Sequence, residues 1–145
     1  MTSARPAASR NRMRSRSRAS YCHLTMHEIG IRKRNQPAPP HIIFEALTHP
    51  ARDPQRPWLM LLDDEVAPKL LKTIYPETVV WSSVWKKRPD AVIHFDLPRD
   101  KGGQGTDLRW RLAVEEPLPD DGLIGHMRKR LNELINANLR YSLGQ

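Results

Sequence analysis

"GHMRKRLNELINANLRYSLGQ" (125–145) closes the chain, and its charges and its apolar residues point to different structures. Arg128, Lys129, Arg130 and Arg140 suggest a basic arm. Ile124, Met127, Leu131, Leu134, Ile135 and Leu139, however, gather on one side when successive residues are stepped by about 100°. Lys129, Glu133, Asn136 and Arg140 lie opposite, as on the solvated face of an amphipathic helix. With Asp120 and Asp121 as N-terminal signals, the spacing predicts a helix over about 123–143 whose apolar side needs a partner.

The charge balance decides between the two readings. The net charge is +8, and residues 1–20 hold six arginines (Arg5, Arg10, Arg12, Arg14, Arg16, Arg18) and no acid. The remainder carries 18 basic and 16 acidic side chains, so the excess belongs to the N-terminal tail. That tail, residues 1–22, has too few large apolar groups to offset the entropy of ordering it, and disorder is expected. It has no apolar core of a secretory signal. Its Arg/Ser-rich composition is shared by organellar transit peptides, and Met13 and Met26 are alternative starts. Loose binding of polyanions by the tail is expected; specific nucleic-acid recognition is not, since no aromatic-plus-basic stacking surface stands out.

The partner of the helix lies upstream. "TDLRWRLAVEE" (106–116) alternates Leu108, Trp110, Leu112 and Val114 against Asp107, Arg109, Arg111 and Glu115, which predicts a strand with one buried face. "AVIHFDL" (91–97) sets Ile93, Phe95 and Leu97 against His94 and Asp96. Val79, Trp81, Ser83 and Trp85 share a face after the turn "YPET". "LTMHEIGIRKR" (24–34) reads as a first strand, with Ile29 and Ile31 opposite Glu28, Arg32 and Arg34. The proline-opened "NQPAPPHIIFEALTHP" (35–50) reads as a short helix that stops before Pro50. Leu and Lys around 69–74 suit either a strand or a helical turn. The layout is α+β: an antiparallel sheet whose apolar face is covered by the C-terminal helix. At 145 residues with 39% apolar content, one domain over 23–145 is expected.

Three stretches, "IRKRNQPAPPHIIFEALTHP", "GTDLRWRLAV" and "GHMRKRLNELINANLR", resemble the START/polyketide-cyclase (SRPBCC) superfamily over about residues 25–145. The first is the most specific, a strand followed by "PA", an aliphatic-aromatic helix and "THP". The resemblance implies a helix-grip fold, a curved antiparallel sheet wrapped around a long C-terminal helix, enclosing an apolar cavity.

Chemistry beyond burial finds little support. Cys22, His23 and His27 cluster, but on a strand the two histidines sit about 13 Å apart, far beyond the ~2.0–2.3 Å that zinc requires of its ligands. No metal or other cofactor is expected. His94 and Asp96 face Arg109 and Arg111 on the wet side, where cross-strand pairing contributes only ~0.2–1 kcal/mol per pair. "GGQG" lacks the spacing of a phosphate loop. The inward positions instead carry Trp81, Trp85, Phe95 and Trp110 from the sheet and Met127 and Leu131 from the helix. Asn138 and Ser142 add polar groups to the helix's apolar side.

Apolar walls with a few polar groups are the composition of a small-molecule site. The expected function is binding of a small apolar or amphipathic ligand, a lipid, polyketide or aromatic compound, with Asn138 as polar anchor and no catalytic residue. Two alternatives stand beside it: a polyketide cyclase or dehydratase using the same cavity, and a protein-interaction or chaperone co-regulator module without a ligand. The expected partner is a hydrophobic small molecule, with a homodimer compatible and no membrane span. The single cysteine makes a reducing cytoplasm the default location.

Overall fold

A computed structural model describes residues 26–143 except Asp53 and Arg56. The tail expected over 1–22, with Cys22 and His23, lies outside the described residues. The chain runs β1 (Met26–Gln36), α1 (Pro40–Thr48), β2 (Leu70–Ile74), β3 (Thr78–Ser82), β4 (Val92–Asp96) and β5 (Thr106–Glu115). It closes with α2 (Asp121–Leu131), which continues through π-helical turns over Asn132–Leu139 and a last α-helical turn, Arg140–Ser142. The strands form one antiparallel sheet in the order β1-β5-β4-β3-β2, with the C-terminal helix against its apolar face. This is the α+β helix-grip fold.

Local chemistry accounts for the elements. Pro40 opens α1, where its missing N–H costs nothing, and Ile43 and Leu47 bury one side. The Asp120 carboxylate caps α2 by accepting from the Leu123 N–H at 2.8 Å. In β5, Leu108, Trp110, Leu112 and Val114 are all buried, as the alternation predicts. Met127, Leu131, Leu134, Ile135 and Leu139 meet them from the helix and are fully buried.

The helix holds a feature its sequence explains in hindsight. Met127, Leu131, Ile135 and Leu139 recur every four residues, and on a 3.6-residue turn such a row drifts by about 40° per step. The wider i→i+5 turns over Asn132–Leu139 counter that drift and keep Ile135 and Leu139 on the core.

Two regions differ from expectation. The open choice around 69–74 resolves as β2, an edge strand exposed along its whole length, which explains why it shows no clean alternation. β3 ends at Ser82 instead of continuing to Trp85. Ser83 bends the chain, its hydroxyl accepting from the Trp85 N–H at 2.9 Å, and Trp85 instead forms an isolated bridge with Glu65.

β1 keeps only part of its expected apolar row on the core: Ile29 packs against it while Ile31 turns outward. An irregularity between Glu28 and Gly30 resets its register, so that Gly30 opposes Leu112, Arg32 opposes Trp110 and Arg34 opposes Leu108. Directly opposed residues share a face, so Gly30, Arg32 and Arg34 lie on the helix side while Ile31 is 47% exposed on the outside.

Candidate functional site

The inner aromatic residues form a graded stack rather than a ring. Trp81 from β3 meets Phe95 from β4 edge-on, with ring centroids 4.9 Å apart. On its other side it stacks with Trp58 at 6.1 Å. The Trp81 indole N–H donates to the Leu47 carbonyl at 2.9 Å, tying the sheet to the end of α1. Trp58 belongs to the extended segment before β2. Sequence reasoning passed over it, because "WLMLL" has no alternation; an isolated indole opening an apolar run was the available signal.

Trp58 closes the floor of a cleft of about 390 Å³ between α1 and the end of the C-terminal helix. Ile42 and Ala46 supply apolar wall, and Glu45, His49, Arg52 and Ser142 supply polar groups. Glu45 is paired with Arg52, and the Thr48 hydroxyl lies 3.0 Å from His49 Nδ1. The Ser142 hydroxyl donates back to the Leu139 carbonyl at 2.6 Å. Trp58 is 5% exposed, and its buried Nε1 has no hydrogen-bond partner among the described residues. The same holds for Trp85 Nε1, Trp110 Nε1 and Gln36 Oε1. An unpaired buried donor or acceptor costs about 1–3 kcal/mol, so each marks a place where a polar partner would be stabilising.

Of the residues singled out from sequence, Trp81, Phe95, Trp110, Met127 and Leu131 are buried in one continuous cluster. Trp85 is in that cluster too and also reaches a second cleft of about 360 Å³, with Leu123 and His126. Asn138 is half-buried on the helix, and its side chain makes no hydrogen bond among the described residues. The structure therefore brings Trp81 and Phe95 close behind Trp58, and places Trp85 at another opening.

An ion pair beneath the segment before β2 was not anticipated. Arg130 donates through Nε and Nη2 to the two carboxylate oxygens of Glu65, both at 2.7 Å, and to the Met60 carbonyl at 3.1 Å. The Glu65 side chain is fully buried. Burial alone would raise its pKa. Hydrogen bonds from Arg130 and the Leu62 N–H, with the Arg130 charge, outweigh burial and hold it below the ordinary carboxylate value. Arg130 is raised in turn, chiefly by its hydrogen bonds to Glu65. Arg130 stands three residues after Met127 and four before Leu134, so it lies on the apolar stripe despite its charge.

On the outer face Asp96 accepts from Arg109 at 3.0 Å and lies 3.1 Å from His94 Nε2 and 3.5 Å from Arg111. Partial burial would raise its pKa; Arg109, His94 and Arg111 lower it on balance. This is the solvated cross-strand pairing read from the alternation. His27 lies 3.0 Å from Glu116. No cluster of three or more metal-ligating side chains occurs among the described residues, and none of their helices is long and apolar enough to cross a membrane.

The architecture is shared with solved proteins. The crystal structure of CalU16 from Micromonospora echinospora is similar, with a TM-score of 0.60 at 19% identity, over 79% of this chain and 73% of that one. The crystal structure of Ara h 8.0201 gives a TM-score of 0.53 at 11% identity, over 83% of this chain and 99% of that one. No family model matches the chain, and no curated protein matches it in sequence. At these identities the likeness establishes the fold.

Proposed function

We propose that this chain is a ligand-binding helix-grip protein of the START/polyketide-cyclase (SRPBCC) superfamily, which takes a small apolar or amphipathic molecule at the Trp58 cleft. The observation that carries this reading is the Trp58 indole, buried at the floor of an open cleft with its N–H unpartnered. The cleft volume falls within the ~300–1,000 Å³ of small-molecule sites. A ligand seated on Trp58 meets Trp81 and Phe95 next. Trp85, Trp110, Met127 and Leu131 join the wall if the core parts further, and Asn138 is then the polar group on the helix. Binding is by burial: about 300 Å² of apolar ligand surface withdrawn from water contributes about 7 kcal/mol at ~25 cal/mol/Å², reduced by the entropic cost of association.

A second reading, a protein-interaction module without a ligand, is favoured by the close packing of Trp81, Trp110, Met127 and Leu131, each at most 1% exposed. Titration with fluorescent fatty acids and flavonoid-like aromatics, read by tryptophan emission, separates the two. The ligand reading expects a saturable change that Trp58→Phe largely removes and Ile42→Arg weakens at least about tenfold, the equivalent of ~1.4 kcal/mol. No saturable change with any ligand would favour the interaction module.

A further inference from the structure

The described arginines sort into two populations. Arg52, Arg88, Arg109, Arg111 and Arg130 each pair with a carboxylate, and Arg99 and Arg140 donate to backbone carbonyls. Arg32, Arg34 and Arg128 have no such partner among the described residues, and all three line one groove between β1 and α2, together with Lys129. The groove is about 500 Å³. It shares no lining residue with the Trp58 cleft.

The convergence is built by the fold. The register of β1 turns Arg32 and Arg34 toward the helix, opposite Trp110 and Leu108. Gly30 leaves room for Arg128: a Cβ there would lie 3.0 Å from Arg128 Cγ and 3.2 Å from Trp110 Cζ3, so a larger residue would press the arginine stem away from the strand by a few tenths of an ångström. The π-helical turns begin at Asn132, on the groove's wall, and such turns recur at functional sites. The one carboxylate in the lining, Glu133, accepts from Arg130 at 3.0 Å. Basic residues on an edge strand do guard against edge-to-edge pairing. That role does not account for Arg128 and Lys129 joining them from the helix.

We propose that this groove is an anion site for a compact ligand carrying two or more phosphate groups. Guanidinium forks match phosphate oxygens two at a time. Four cations in one place call for more charge than a single phosphate, at about −1.5 to −2, supplies. Among the described residues no aromatic side chain lines the groove, so the stacking platform of a single-stranded nucleic acid is missing there.

The test is a titration of the full 145-residue chain with inorganic tripolyphosphate at about 0.15 M ionic strength, read by amide NMR shifts. Saturable shifts at Gly30 and Gly125 are expected. Replacing Arg32 and Arg128 together by Ser should weaken binding by about tenfold or more, the scale of lost charge-assisted hydrogen bonds. Lys129→Glu, at an exposed position, should weaken it as well if the double variant folds poorly. Replacing Arg14, Arg16 and Arg18 by Ser should leave the groove shifts within about twofold, the ordinary effect of a distant surface change.

Shifts confined to residues 1–25, or groove shifts indifferent to both groove variants, overturn the proposal. A single-stranded oligonucleotide that outcompetes tripolyphosphate at Gly30 and Gly125 overturns the ligand class. Co-sedimentation with phosphatidylcholine vesicles doped with phosphatidylinositol bisphosphate, lost in the groove variant, assigns the phosphates to a lipid headgroup. Retained tripolyphosphate binding without co-sedimentation assigns them to a soluble molecule.

Discussion

β5 and β1 are neighbours in one sheet, yet they treat their helix-facing side in opposite ways. β5 turns Leu108, Trp110, Leu112 and Val114 inward, and the helix covers them all. β1 turns Gly30, Arg32 and Arg34 the same way: Gly30 is covered by the Arg128 stem, while Arg32 and Arg34 line a groove that stays open. A sheet wrapped around a helix is not uniformly covered: its centre becomes core, and its edge becomes a second wall facing the helix across water. The same face is then apolar or cationic according to what lies opposite.

The contrast is broken most severely at the centre. Trp110→Ala should destabilise the protein by about 3–5 kcal/mol in urea unfolding; a cost under about 1 kcal/mol, the range of mild surface changes, would remove β5 from the core. Next comes Arg130, the residue of the "RKR" run that turned inward where Arg128 and Lys129 turned to the groove. Glu65→Ala should cost about 3 kcal/mol by stripping the buried Arg130 of its bidentate partner and leaving it only the half-exposed Glu133, whereas Glu65→Leu with Arg130→Met should be near neutral or stabilising.

The pH dependence has a definite sign. Glu65 is held below its ordinary value of 4.5 in the fold, so its contribution is complete above that value and is lost as pH falls through the folded pKa. Acid unfolding of Glu65→Gln should therefore show a shallower loss of stability below about pH 4.5 than the parent, followed by circular dichroism.

Gly30→Ala sits at the boundary between the two strands. It should destabilise by about 1–3 kcal/mol from overpacking, toward the low end because the Arg128 stem can shift. Arg34→Ala should change the thermal unfolding free energy by no more than about 0.5 kcal/mol. A larger loss would make the groove cations structural, and the two strands alike.

What could be read from the sequence follows the same division. β4, β5 and the helix stripe were legible because period 2 and helical spacing survive wherever one face is covered. The inward positions of Trp81, Phe95 and Trp110 were legible for the same reason, whereas the burial of Trp85 beyond the end of β3 was not a matter of alternation. β2 was ambiguous because an edge exposed on both faces has no pattern to keep. The orientation of β1 was hidden because a register irregularity between Glu28 and Gly30 changes which residues face inward without altering the local composition. The Glu65–Arg130 pair joins residues 65 apart in sequence, beyond any periodic window, although Arg130 sat visibly on the apolar stripe. Trp58 lies in an extended segment held by tertiary contacts, where local spacing says nothing about burial.

The wide turns over Asn132–Leu139 also divide the last helix into two independently phased halves. Upstream residues set the angle at which Arg128 and Lys129 meet β1, and downstream residues set the angle at which Ser142 meets α1. Removing one residue from an ordinary α-helix rotates everything after it by about 100°; here relaxation of the wide turns toward α-helical ones would absorb part of that rotation, and the remainder would shift Ser142 against α1. The Trp58 cleft would lose its Ser142 wall while the cationic groove kept its cations. A single-codon deletion or insertion in this stretch is thus a route by which relatives of this protein could remodel the Trp58 cleft while the groove keeps Arg32, Arg34, Arg128 and Lys129.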